Sequence, residues 1–245
     1  MRPVEKWSPA TNGRVKADYP NYRDAKPVLC ENLGTVCSYC EKAYAEARDL
    51  HVEHIQPKGY KDAEGRLPYA HLETRWDNFL LSCATCNGAD NKDTKDVVYG
   101  RCHLPHLNNT FLSLRYKAGG VVEVNPSLRG RSAENARALL ELVGLAKGPR
   151  ESKPGDKRWM TRSKVWDMAE RYLRLYEQGR ADAGTIIDLA VGYGCWSIWF
   201  TVFKGQDEVR KSLIEHFPGT SAACFDPANH YDPVPRNPQN TEDPV

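Results

Sequence analysis

The sequence predicts an α+β protein in which a small cysteine-pinned unit of two short strands precedes a β-hairpin and a mostly helical C-terminal region. Three observations predict it. Two cysteine pairs at Cys-x-x-Cys spacing, Cys37/Cys40 and Cys83/Cys86, bracket one stretch of chain. Short β-prone runs lie between and after them, and beyond Pro126 apolar residues recur at helical spacing. With 40% hydrophobic and 10% aromatic residues, 245 residues can bury a real core.

Residues 1–30 hold Pro3, Pro9, Pro20 and Pro27 among few periodic apolar positions, which predicts an extended N-terminal arm with at most one short helix. Leu50 to Ile55 reads as a strand closed by Pro57. Lys58 to Asp77, with Gly59, Gly65 and Pro68, reads as a loop-rich insertion. A second strand is expected at Phe79 to Leu81, and a turn and polar helix at Cys83 to Lys95, completing a core over 31–110.

Strand-like runs return at Thr110–Tyr116 and Val121–Val124, joined by a glycine turn at Gly119-Gly120. Ser132 to Val143 reads as a helix with Ser132 as N-cap and Gly144 as its stop. A longer amphipathic helix is expected over 157–177, where Trp159, Val165, Trp166, Ala169, Tyr172, Leu173 and Tyr176 share a face. Ile186 to Phe203 is the most apolar segment, but Asp188, Gly192 and Gly194 argue for a buried helix pair or a docking surface over a membrane span. The region 111–225 is thus a hairpin plus helices. The proline-rich, polar residues 226–245 read as a flexible tail, disordered or merely draped over the rest.

The small net charge of +2 conceals an uneven layout, because residues 111–180 hold 15 basic and 8 acidic groups. Polyanion binding and a solvated helix face both explain that excess. The opening MRPVEKWSPA has no basic-plus-apolar leader, so the expected setting is cytoplasmic, with reduced thiols. Paired thiols in such a setting read as zinc ligands. Cys37, Cys40, Cys83 and Cys86 supply four, and a unit this small folds stably only with the metal, so the zinc is structural. Cys102, His103 and His106 form a weaker candidate ligand cluster. Cys30, Cys195 and Cys224 are isolated.

Between the pairs stands His51-Val52-Glu53-His54-Ile55, and Asn87 follows the last cysteine. A histidine near neutral pKa can deprotonate water, and a carboxylate with an amide oxygen can hold Mg²⁺ or Mn²⁺ against a phosphate. That pattern suits phosphodiester hydrolysis. His54 is the candidate base, with Glu53 and Asn87 as candidate ligands of the catalytic ion. Glu53 and His54 are neighbours, so they share a site only if the strand bends or ends there. His51 could contact phosphate, ligate the ion or cap the strand.

The phrases Val52-Glu53-His54-Ile55-Gln56-Pro57, Asp77-Asn78-Phe79-Leu80-Leu81-Ser82-Cys83 and Cys86-Asn87, with Asn91-Lys92 beyond, resemble the HNH endonucleases. The resemblance covers about residues 35 to 96 and implies a ββα-metal core bearing zinc knuckles. It makes His54 the general base, Glu53 and Asn87 ligands of the catalytic ion, and Asn78 the residue that fastens the loop between the strands. Asn91, four residues on, could replace Asn87. The Lys58 to Trp76 insertion is longer than that compact core requires.

The wider layout, including the MRPVEKW opening and the Ala136–Leu145 helix sequence, is similar to the PtuB nucleases of Septu-type and retron anti-phage systems. That similarity implies an ATPase partner of PtuA type and nucleic acid, DNA before RNA, as substrate. The rival reading is a non-catalytic zinc module that binds nucleic acid or protein.

Overall fold

A computed structural model describes residues 1–245. Its first residues are not a loose arm. Met1, Arg2 and Val4 are buried, and the Arg2 guanidinium donates to the carbonyls of Leu33, Phe217 and Pro218. The prolines do keep residues 1–20 irregular, but partners two hundred residues away hold them down. Helix α1, Lys26–Leu33, then starts with Pro27 in its first turn, where the missing N–H costs nothing.

Strands β1, Leu50–His54, and β2, Phe79–Cys83, pair antiparallel with Leu50 opposite Cys83 and His54 opposite Phe79. Every residue of β2 is buried, because α1 packs against it, which explains its unbroken Phe-Leu-Leu run. The expected polar helix shrinks to a single turn, α2, Ala84–Asn87. Past Gly88 the chain doubles back, with the Lys92 amide donating to the Cys86 carbonyl at 3.1 Å, and this turn carries Lys92 inward.

Thr110–Ser113 is a helical turn, α3, rather than strand, because the Asn109 side chain accepts the Phe111 amide. The hairpin follows as β3, Leu114–Lys117, and β4, Val121–Val124, turning through Gly119 and Gly120 at positive φ. Helix α4, Gly130–Val143, begins two residues before Ser132, so Ser132 is not its cap; it ends at Gly144 in the left-handed conformation, as the sequence predicts. Helix α5 spans Arg158–Glu177.

The apolar stretch is two helices, α6, Ala183–Tyr193, and α7, Trp196–Val202, followed by α8, Asp207–His216. No helix is long and apolar enough to cross a membrane. Gly194 separates α6 from α7 at φ +71°, where a Cβ would lie 2.3 Å from the Glu41 carbonyl oxygen. Only glycine lets the first cysteine turn approach the helices so closely. In α7, Trp196 stacks on Phe200 with centroids 4.5 Å apart, and both are fully buried with Trp199.

A short ladder, β5, Phe225–Asp226, with β6, Asp232–Pro233, precedes the tail. That tail is docked rather than flexible. Asp243 and Val245 are buried, and the Asp243 carboxylate accepts Ser132 Oγ at 2.8 Å, Asn135 Nδ2 at 2.6 Å and His103 Nε2 at 2.9 Å. Composition misreads these residues because their partners lie more than a hundred positions away. Ser113 Oγ completes the chain at 2.8 Å from His103 Nδ1. Serine, histidine and aspartate stand in triad order here, but sealed from solvent they form a tie rather than a nucleophile.

Candidate functional site

Two cysteine turns build the metal centre. The first leaves strand-like pairing at Val36–Ala43, and the Glu41 amide closes it onto the Cys37 carbonyl at 2.9 Å. The second runs from the end of β2 into α2, where the Cys86 amide donates to Cys83 Sγ at 3.5 Å. All four sulfurs are buried and lie within 4.8 Å of one another, with Cys40 and Cys83 3.7 Å apart. A tetrahedral zinc with bonds of about 2.3 Å sets its sulfurs about 3.8 Å apart, so the cluster fits that ion. No cysteine is in a disulfide.

The thiols are poorly suited to stand alone. Burial, and then the neighbouring sulfurs, pushes Cys37 well above the ordinary thiol value, and the Cys37 sulfur does the same to Cys86. A dication reverses that penalty by binding the thiolates directly. Arg158, at the start of α5, adds positive charge: its guanidinium donates to Cys86 Sγ at 3.2 Å and to the carbonyls of Val143 and Gly144. Glu41 ties the first turn to the helices, accepting the Ser197 amide at 3.0 Å and the Ser197 hydroxyl at 2.6 Å. The sequence marks neither residue, because each acts through a distant contact.

On the side of β1, a cleft of about 430 Å³ is lined by His51, His54 and Asn87. Its walls carry Arg23, Lys26, Arg48 and Lys58, of which Lys58 pairs with the Glu73 carboxylate and Arg48 with Glu46 at 2.9 Å. Three of those cations escape a reading of motifs, since two belong to the first thirty residues and one to the turn before β1. The only trace in sequence is their proximity to the strand.

His54 is held with one nitrogen spent. Its Nε2 lies 2.9 Å from the Glu73 carbonyl oxygen, which can only accept, so the proton sits on Nε2 and Nδ1 keeps its lone pair. The ring meets Tyr22 and Phe79 edge-on at 4.9 and 5.3 Å. Burial pushes its pKa below the ordinary 6.5, against the opposing pull of the Glu73 carbonyl, so the ring is neutral at pH 7.

Asn78 is buried outside the cleft, where it braces the histidine's strand. Its Oδ1 accepts the Gln56 amide at 2.8 Å and its Nδ2 donates to the Gln56 carbonyl at 3.0 Å. His51 is exposed. Asn91 does not reach the cleft: its side chain donates to the Thr85 carbonyl at 2.7 Å and accepts Lys147 at 2.9 Å. Asn87 is therefore the amide that faces His54. The Cys102, His103 and His106 cluster gathers no ligand set, as His103 is committed to Ser113 and Asp243.

Glu53 requires a correction. The strand stays regular through His54, so the neighbouring side chains diverge, and Glu53 turns into the protein. Its carboxylate pairs with Lys92 Nζ at 2.6 Å and accepts Ser82 Oγ at 3.1 Å; Lys92 also donates to the His54 carbonyl at 2.7 Å. Both partners are almost fully buried. An amide, two imidazoles and four cations line the cleft, so Mg²⁺ or Mn²⁺ would find only the Asn87 oxygen and imidazole nitrogens there, with water and substrate phosphate to complete its shell, while the nearby Glu73 carboxylate is paired with Lys58.

The pair makes its own prediction. Lys92→Met leaves a buried carboxylate without a counter-charge and lowers unfolding free energy by about 3–5 kcal/mol. Adding Glu53→Gln to that variant recovers most of the loss, as urea denaturation of the two proteins reads directly. Equal stability of wild type and Lys92→Met contradicts the pairing.

No curated protein matches the chain. The segment that holds the four cysteines, both cleft histidines, Asn78, Asn87 and Lys92 is matched, over residues 37–93, by the HNH endonuclease family.

Proposed function

We propose that the protein is an HNH-type endonuclease that hydrolyses phosphodiester bonds, with DNA favoured over RNA. The observation that carries the reading is a neutral His54 with Nδ1 free, set in a cleft whose walls are cationic. Such a nitrogen takes the proton of an attacking water. Arg23 and Lys26 offset the charge of the phosphate and of the oxygen that leaves, and Arg48 and Lys58 add to this to the extent that Glu46 and Glu73 release them. Asn87 offers an amide to orient either. Asn78 acts through Gln56 as a positioning residue.

The finer reading is a nuclease effector of an anti-phage complex with an ATPase partner of PtuA type. Its support is the sequence similarity given above. The apolar side chains Val191 and Tyr193, exposed on α6, are where such a subunit would find a surface.

The test incubates the full chain, alone and with any ATPase encoded beside it, with plasmid DNA and with RNA. Reactions are run in Mg²⁺, in Mn²⁺ and without added divalent ion, because the carboxylate nearest the cleft, that of Glu73, is paired with Lys58. Nucleic acid bound but never cut, under every condition, supports the non-catalytic zinc module instead.

The acid limb of the pH profile follows from the buried ring. Protonated His54 cannot accept a proton, so kcat/KM rises with pH as the ring loses its charge and levels off above it. Since burial lowers this pKa, the midpoint falls below 6.5. A midpoint above 6.5 contradicts the assignment.

A further inference from the structure

A second cavity, of about 470 Å³, has Gln56 and Asn78 in its wall and takes no part in the chemistry proposed above. It falls within the size range of small-ligand pockets. Trp7, Trp76 and Tyr99 line it, and Tyr99 is 44% exposed. Two polar groups in its wall are incompletely matched. Lys6 Nζ reaches only the carbonyls of Trp76 and Asp77, at 2.6 and 3.2 Å, and sits 5.2 Å from the Trp76 ring centre. His106 Nδ1 is buried without any hydrogen-bond partner.

An unpartnered buried imidazole nitrogen costs free energy, and a half-buried ammonium lacking an ion pair adds to that cost. Burial pushes Lys6 down to about 7, the mark of a cation short of negative charge. The Asp77 carboxylate relieves it only in part, being turned toward Arg75 at 3.4 Å. The site therefore suits a ligand with a flat π-face for the rings, hydrogen-bonding edges for His106 and an anionic group for Lys6. A nucleobase carrying a phosphate has all three.

We propose that this pocket binds a nucleotide, supplied either free or as an unpaired residue of the nucleic-acid strand. The choice of nucleotide over other aromatic anions rests on the nuclease reading. Position supports it as well. Leu72 lines the pocket and precedes Glu73, whose carbonyl holds His54; Gln56 and Asn78, which brace the end of β1, line it too. An occupant touches the frame of the general base.

Calorimetric titration of the full chain without added divalent ion, using adenosine monophosphate, a short single-stranded DNA and benzoate, tests the proposal. Saturable binding of the mononucleotide, weakened about tenfold by Tyr99→Ala, supports a free nucleotide. Binding of the oligonucleotide alone, with the same loss in Tyr99→Ala, supports a strand residue. Lys6→Met, with an unchanged circular dichroism spectrum, weakens either.

Binding that ignores Tyr99→Ala overturns the proposal, as does benzoate binding as tightly as the mononucleotide, or no binding of either nucleotide probe. The readout does not require cleavage. A chain that cuts DNA yet binds neither probe through Tyr99 refutes the pocket and leaves the nuclease; one that binds but never cuts does the reverse.

Discussion

Stripping the zinc, or replacing Cys83 with serine, unfolds the segment from Cys37 to Asn87 and destabilises the helices behind it. Structural zinc of this type contributes about 10–16 kcal/mol of apparent binding free energy, which equals or exceeds the whole stability of an ordinary domain. The loss spreads for identifiable reasons. Arg158 reaches from α5 to Cys86 Sγ, and Glu41 beside the first cysteine turn holds Ser197 of α7. Metal analysis should find about one zinc per chain. Circular dichroism during chelator titration should show the ellipticity of both halves falling together. A metal-free chain that melts like the native protein contradicts the centre.

His54→Ala lowers the rate of strand cleavage by about 10²–10⁴-fold, the usual contribution of a positioned general base. The fold survives, because the ring stands at the cleft and contacts Tyr22 and Phe79 only edge-on. The strand beneath it is held by the β1–β2 ladder and by Asn78. Single-turnover cleavage with matched thermal melts separates lost chemistry from lost structure. His51→Ala should cost less, since that side chain is exposed and no partner fixes it.

What could be read in the sequence was whatever depends on neighbours along the chain. The cysteine spacing fixes two turns locally, and Leu50–His54 and Phe79–Cys83 carry their β preference within themselves. Gly144 stops α4 by its own backbone freedom. A helix pair within 186–203 was one of two readings open, but its break at Gly194, set by the close approach of Glu41, was not visible.

The misreadings have one physical origin. Polar and proline-rich segments look loose until their partners are known, so residues 1–30 and 226–245 gave no hint that Arg2 and Asp243 are buried connectors. The same limit applied at the site. Strand alternation warned that Glu53 and His54 diverge, but only the fold reveals that Lys92 folds back from α2 to neutralise the carboxylate. Arg23, Lys26 and Arg48 became cleft residues because the turn 22–25 packs against β1, and α1 packs against β2 and against the turn 47–49.

Plasmid cleavage by the full chain, with wild type and His54→Ala run side by side, addresses the principal assertion most directly. Wild type should yield nicked or linear DNA and the variant nearly intact plasmid, at equal folded concentration. Equal cleavage by the two proteins would contradict that assertion.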